Sequence, residues 1–218
     1  MTAILEEGLA QLGLGGTDGA AKLLTRYIEE IELFNPAYGL VKVSDRRELI
    51  VRHILDSLAP LNIIRNLEKS RIADVGSGAG LPGIPLAICM PNAEFTLIER
   101  MGRRAGFLRN TLAILGLNNV RVEEKEMEKI NPAGCFDIVV FRAFRPLERA
   151  IFKGLSRLLA ADGVLAAYKG RRESLEDEMA RLSKAAGKGG AAVSWEVFPL
   201  EVPFLEEERH LLLVRLTP

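Results

Sequence analysis

This sequence predicts a layered α/β fold with a helical N-terminal cap, and three features carry the prediction. Up to about Asn66 apolar residues recur at three- and four-residue spacing; after Ser70 short apolar runs alternate with helical stretches; and a glycine-rich loop joins the first run to the first stretch. Spacing of three and four gives one face of a helix, whereas alternating runs and helices give a parallel sheet with crossover connections.

Leu23, Leu24, Tyr27, Ile28, Ile31 and Phe34 mark one helical face, and no strand is expected before Asn66. Thr17 or Asp18 is expected to cap the second helix. Asn35-Pro36 is expected to end it, because a proline disfavours helical geometry in the residue before it. A third helix is expected from about Asp45 to Asn66. The runs at 72–75, 95–98, 120–122, 136–141, 164–168, 193–198 and 211–216 read as strands, with helices over about 83–90, 102–116 and 146–159. The link from 123 to 135 is shorter and less regular. The last two runs have only 199–209 between them, which predicts an antiparallel hairpin at one sheet edge, and Gly187 to Gly190 reads as a loop. The expected division is a helical cap over 1–69 and an α/β domain over 70–218, packed as one compact unit.

The 218 residues hold 29 basic and 29 acidic side chains, and 48% of the chain is hydrophobic. That suffices for a core without disulfides or metal staples and excludes a disordered chain. No stretch approaches the roughly 18 to 20 apolar residues of a membrane helix, and the first residues lack the basic region of a signal peptide. A soluble, cytoplasmic protein is therefore expected, a monomer by default. Cys89 and Cys135 lie in apolar segments without a partner at metal-ligand spacing, and with only His53 and His210 besides, no metal site is expected. Residues 99–172 carry 15 basic against 8 acidic side chains, eleven of the cations being arginine. Such an excess suits either a face that meets phosphate or a set of solvated helix faces.

The loop from Asp74 to Pro85 is the most informative segment. Gly76, Gly78, Gly80 and Gly83 fall within eight residues between a buried strand and a helix, and let a ligand lie against bare backbone. Gly78, Gly80 and Gly83 match a dinucleotide-binding pattern. Asp74, however, enters the loop as a carboxylate, which opposes a pyrophosphate and favours a cationic ligand such as S-adenosylmethionine. Glu99, 25 residues further on at the end of the second strand, can accept both hydroxyl hydrogens of an adenosine ribose, which the two ligands share. S-adenosylmethionine is preferred, with a nicotinamide dinucleotide second.

Several stretches together resemble the glucose-inhibited division protein B family, bacterial enzymes that methylate guanine N7 in small-subunit ribosomal RNA. They are Asn35 to Tyr38, Val51 to Ser57 with its His53-Ile54-Leu55-Asp56-Ser57 motif, the loop from Asp74 to Pro85, Phe107 to Arg109, Arg142-Ala143, Tyr168-Lys169-Gly170 and Glu208-Arg209-His210. They span almost the whole chain in order. The resemblance implies a class I S-adenosylmethionine-dependent methyltransferase fold, Rossmann-like, with a seven-stranded, mostly parallel sheet whose last strand is antiparallel. It also implies S-adenosylmethionine as cofactor, and small-subunit ribosomal RNA or an assembling small subunit as partner. The family's cofactor positions fall on Gly76, Leu81, Met127, Glu128 and Arg142. The chain departs from the family at Gly39-Leu40-Val41 and at Glu99-Arg100, where other residues are usual.

Guanine N7 is a lone-pair nucleophile with no proton to lose, so catalysis by alignment is expected. Lys169 is the candidate catalytic residue, facing guanine or phosphate, while Arg142 orders the cofactor pocket. His53 and Arg209 are candidate substrate contacts, and His53, Asp56 and Ser57 read as a link from cap to site, not as a hydrolytic triad. Phe144 is a candidate for stacking on a base, and Arg100, Arg103, Arg104, Arg109, Arg145, Arg149, Arg171 and Arg172 for tracking phosphates. The competing readings are a nicotinamide-dependent oxidoreductase and a ribosome-binding factor that has lost activity.

Overall fold

A computed structural model of the chain describes residues 3–16, 18–142, 148–172, 175, 178–179 and 192–217. Its strands are β1 (Arg71–Val75), β2 (Glu94–Ile98), β3 (Val120–Glu123), β4 (Phe136–Arg142), β5 (Leu159–Lys169), β6 (Ala192–Leu200) and β7 (Arg209–Thr217). They form one sheet in the order β3-β2-β1-β4-β5-β7-β6. The first five pair in parallel; β7 lies antiparallel between β5 and β6, so the expected hairpin closes one edge.

Alternation along the strands divides the core into two layers. Ile72, Ile138, Val140, Val164, Ala166, Leu211 and Leu213 face one side, and Ala73, Val139, Phe141, Leu165, Ala167, Leu212 and Val214 the other. A period of two produces this division, and burial on both faces explains why these runs read as continuously apolar. The second side is covered by α8 (Arg149–Leu158) through Leu155 and Leu158. The first is covered by α6 (Gly83–Cys89), α7 (Gly102–Leu115) and the N-terminal helices.

Those helices begin with α1 (Ala3–Gln11) and α2 (Asp18–Tyr38). Leu24, Tyr27, Ile28 and Ile31 of α2 are buried in the same core as Ile84 and Phe107. The Phe34 ring meets that of Phe107 edge-on at 5.7 Å. The α2 helix does not end at Asn35 but runs through Pro36 into Tyr38. The final turn closes because Asn35 accepts twice, through its carbonyl from the Gly39 N–H at 2.8 Å and through Oδ1 from the Val41 N–H at 2.9 Å. These bonds hold the turn that the proline weakens.

The expected third helix is broken into pieces. It starts with α3 (Arg46–Leu49), capped by the Asp45 carboxylate, which accepts from the Glu48 N–H, while Glu48 accepts from the Ser44 N–H. A π turn (Ile50–Leu55) leads into α4 (Asp56–Leu58), and after Pro60 comes α5 (Leu61–Arg65). The link from 123 to 135 contains one 3-10 turn, Met127–Lys129. Thr17, the Gly187 to Gly190 loop, Phe144 and Arg145 lie outside the described residues, while Asp18 is the first residue of α2. Cys89 is buried, and burial pushes its thiol up to about 11, as an inert core side chain requires.

Because one core joins α2 to α7, Phe107→Ala is expected to lower stability by about 3–5 kcal/mol. Urea titrations of both proteins check this. Far-ultraviolet ellipticity and fluorescence of Trp195, on β6, should report a single shared transition.

Candidate functional site

The site is built at the carboxyl ends of β1, β2 and β4. After β1 the backbone turns sharply through Gly76, Gly78 and Gly80, all at positive φ. At Gly80 the need is absolute: φ is +95° and a Cβ would lie 2.4 Å from Ile84 Cδ1. Gly83, the first residue of α6, packs so closely that a Cβ there would meet Leu97 Cδ2 at 2.4 Å and Asp74 Oδ2 at 2.7 Å.

Asp74 is fully buried beneath this turn. Its Oδ2 accepts from the Gly83 N–H at 2.9 Å, and its Oδ1 is buried with no hydrogen-bond partner. Burial pushes the carboxyl up to about 7, against the opposing pull of the Gly83 N–H and Arg142. Asp74 therefore anchors the loop from below, whereas the sequence suggested that it faces a cationic ligand. Tyr27 holds the loop from the helical side, donating its buried hydroxyl to the Ala79 carbonyl at 2.8 Å.

Glu99, just past β2, accepts from the Gly78 N–H through Oε2 at 3.0 Å and from the Met101 N–H through Oε1 at 2.8 Å. Each oxygen keeps lone-pair capacity for a hydroxyl donor. It lines a cavity of about 500 Å³ together with Gly76, Met127, Glu128 and Arg142. Arg100, Arg104 and Lys125 stand at the same cavity. Of the sequence candidates, Gly78 contributes through its bond to Glu99, while Leu81 is buried in the core and does not line the cavity. The Met127–Glu128 turn is held by a residue that the sequence did not single out: Arg157 of α8 donates from Nη2 to the carbonyls of Met127, Glu128 and Ile130, each at 2.9 Å.

A second cavity of about 280 Å³ lies beside the first, and Arg142 lines both. His53, Lys169 and Arg209, the three substrate candidates, meet here, with Asp56, Leu200 and His210. Arg142 donates from Nη1 to Asp56 Oδ2 at 3.1 Å and from Nη2 to His53 Nδ1 at 2.9 Å. A guanidinium only donates, so His53 Nδ1 is the acceptor and the ring hydrogen sits on Nε2. Burial, then Arg142, lowers the His53 pKa to about 4, so the imidazole is neutral at pH 7. Arg209 donates from Nε to Asp56 Oδ1 at 3.1 Å. The Lys169 ammonium is held between both oxygens of Glu178, at 2.7 and 2.9 Å. His210 Nδ1 lies 2.6 Å from the Gly170 carbonyl and donates to it. Tyr168 donates to the Ser57 carbonyl at 2.8 Å, and Ser57 Oγ to the His53 carbonyl at 2.5 Å, so Ser57 is not poised as a nucleophile.

The arginines expected to track phosphate are spread out. Arg109 pairs with Glu124 at 2.7 Å and Arg103 stands over the Tyr38 ring at 5.5 Å, while Arg149, Arg171 and Arg172 are exposed. Among the described residues no cluster of His, Cys, Asp or Glu could hold a metal ion, and no helix is long and apolar enough to cross a membrane.

Residues 20–212 match a protein family described as rRNA small subunit methyltransferase G. Curated relatives named ribosomal RNA small subunit methyltransferase G include one from Treponema pallidum (strain Nichols), 41% identical, and one from Treponema denticola, 37% identical. Each alignment covers 97% of this chain and 93% of the relative. A third, from Shewanella halifaxensis, is 38% identical over 98% of both chains. Among solved structures, a S-adenosylmethionine-dependent methyltransferase from Aquifex aeolicus matches with a TM-score of 0.54, at 19% identity, over 74% of this chain and 92% of its own. A protein from Agrobacterium tumefaciens described as a predicted O-methyltransferase matches with a TM-score of 0.57, at 22% identity, over 75% and 81%. At such identities the likeness is one of fold, and the fold is the class I methyltransferase sheet expected from the sequence.

The raised pKa of Asp74 makes a signed prediction. The folded protein binds this proton more tightly than the unfolded chain, so the contribution of Asp74 to stability is full below pH 4 and is lost as pH rises through about 7. His53 works in the opposite sense, its contribution being lost as pH falls from 6.5 through about 4. Asp74→Asn should therefore gain stability relative to the parent between pH 5 and 8. Urea titrations of both proteins across that range measure the difference; a flat difference would contradict the raised pKa of Asp74.

Proposed function

This chain belongs to the rRNA small subunit methyltransferase G family, and on that premise we propose that it transfers a methyl group from S-adenosylmethionine to N7 of a guanine in small-subunit ribosomal RNA. The observation that supports this reading best is the pair of cavities meeting at Arg142, one with the means to hold an adenosyl group and the other of a size for a single base.

The first cavity fits the cofactor on its own chemistry. Glu99 offers two fixed carboxylate oxygens to ribose hydroxyls, and a Cβ on Gly78 would meet nothing nearer than 3.8 Å, so bare backbone faces open space. Met127, Glu128 and Arg142 line the same cavity, and we read the first two as the contacts for an adenine edge. When bound, S-adenosylmethionine supplies a methyl group on a sulfonium, an electrophile that needs no activation by acid.

In the second cavity the residues position and do not transfer protons. The Nδ1 of His53 is committed to Arg142, and burial together with the Arg142 charge opposes protonation of the ring, so His53 is not read as a general base. None is needed, because guanine N7 presents a lone pair. The cations Arg142, Arg209 and Lys169 favour the O6 edge of guanine and the adjoining phosphates, and Leu200 adds an apolar wall. A base can enter such a cavity only when turned out of its stack, which suits a single-stranded or loop target. Lys169, held on Glu178, is read as the substrate-facing cation. The helical part, 1–69, shapes the substrate side through His53 and Asp56, and 70–218 holds the cofactor. We further take the enzyme to act as a cytoplasmic monomer on ribosomal RNA or on an assembling small subunit.

The deciding experiment is transfer of labelled methyl from S-adenosylmethionine to unmethylated small subunits and to their deproteinised RNA, followed by nucleoside mass spectrometry. Label in 7-methylguanosine is expected; label in any other nucleoside, or none, overturns the assignment. Glu99→Gln should shrink the rise in melting temperature caused by S-adenosylhomocysteine, in line with about 10- to 100-fold weaker binding. Lys169→Ala should leave that rise intact and reduce turnover on RNA.

A further inference from the structure

Among the described residues Asp56 is the only acidic one lining the second cavity, yet methyl transfer to N7 itself calls for no carboxylate there. Guanine N7 loses no proton, so no general base is called for, and although a free carboxylate could accept from guanine N1–H and N2–H, both oxygens of Asp56 are already held by arginines. Asp56 is nevertheless buried, on a side chain only 8% exposed, and each oxygen is taken by a different arginine at 3.1 Å. The two arginines arrive from different strands, Arg142 at the end of β4 and Arg209 at the start of β7. Two guanidiniums drawn to one point repel each other, and the carboxylate between them cancels that repulsion.

The two contacts are not equivalent. Arg142 has further partners, His53 Nδ1 at 2.9 Å and the carbonyls of Arg52 and His53 at 3.3 and 3.5 Å. Among the described residues Arg209 has only the Glu208 carbonyl, at 2.9 Å from Nη1, besides Asp56. The bond from Nε to Asp56 fixes the plane of the Arg209 guanidinium and leaves Nη2 for the cavity. Without it Arg209 would keep a single tether to its own neighbour's backbone.

We propose that Asp56 is a positioning residue for methyl transfer, setting the Arg209 fork against Arg142 so that a base held by Arg209 meets the cofactor cavity in one orientation. The proposal rests on the reading of the second cavity as the base site. It predicts a split between binding and turnover: Asp56→Asn should lower kcat about 10- to 100-fold, as for a misaligned substrate, with S-adenosylhomocysteine affinity within about threefold of the parent, because Arg142 keeps His53.

The test is a double-mutant cycle on the full chain with small subunits as substrate, using Asp56→Asn, Arg209→Ala and the double variant. If Asp56 acts through Arg209, the double variant is no slower than Arg209→Ala alone. Multiplied losses, or an Asp56→Asn enzyme with unchanged kcat, overturn the proposal. Arg209 is partly exposed and its loss leaves Asp56 paired with Arg142, so Arg209→Ala keeps the question answerable if Asp56→Asn does not fold; parental kcat in Arg209→Ala also overturns it. The product formed by the parent enzyme judges the substrate assignment separately, since the cycle compares rates for whichever nucleoside the parent labels.

Discussion

The hydrogen bond from the Gly83 N–H to Asp74 fixes where β1 stops and α6 begins, and the site hangs from that turn. It draws the helix start down onto the strand end, which is possible only because Gly83 has no side chain to meet Leu97. The loop is thereby carried upward through its glycines, and the Gly78 N–H reaches Glu99 just past the next strand. Tyr27 closes the arrangement from above through the Ala79 carbonyl. Burial raises the pKa of this carboxyl to about 7, which reduces the cost of a desolvated charge, and Asp74 holds the turn through Oδ2 alone.

Around the second cavity the electrostatics follow one pattern. Lys169 is neutralised by Glu178, Arg52 pairs with Glu48 and Glu207, and Asp56 takes two arginines at once. His53 contributes no charge at neutral pH because burial and Arg142 both oppose its protonation. Summed over these groups the charges cancel, so the wall is not a non-specific anion trap, and its polarity comes from the directions of the guanidinium donors and not from a net positive charge.

Much of this was legible in the sequence because it is local or periodic. The strands and their alternating faces, the edge hairpin, the glycine turn and the acid at Glu99 all follow from short-range patterns. The end of α2 was misread because the rule for a residue before proline is weaker than two hydrogen bonds accepted by Asn35. The helix over 45–66 was read as continuous because its apolar spacing persists through the π turn and the Pro60 break. The direction of the Asp74 side chain depends on how closely α6 packs on β2, which spacing does not reveal. Arg157 and the Arg142–Asp56–Arg209 contacts join residues between 27 and 153 positions apart, and no pattern in one sequence couples such distances.

The π turn over Ile50–Leu55 carries a consequence of its own. Such a turn accommodates one residue more than an α-helical turn of the same height, so everything after it is rotated about the helix axis. Arg52 and His53 lie inside it, and Asp56 and Ser57 immediately after it. The motif is therefore sensitive to length as well as to composition: deleting a single residue here would restore a regular helix with its apolar face broadly intact, while swinging Asp56 away from both arginines. In descendants of this fold, a one-residue gap in this stretch would mark a lineage in which the scaffold persists and the bridge from Arg142 through Asp56 to Arg209 is gone.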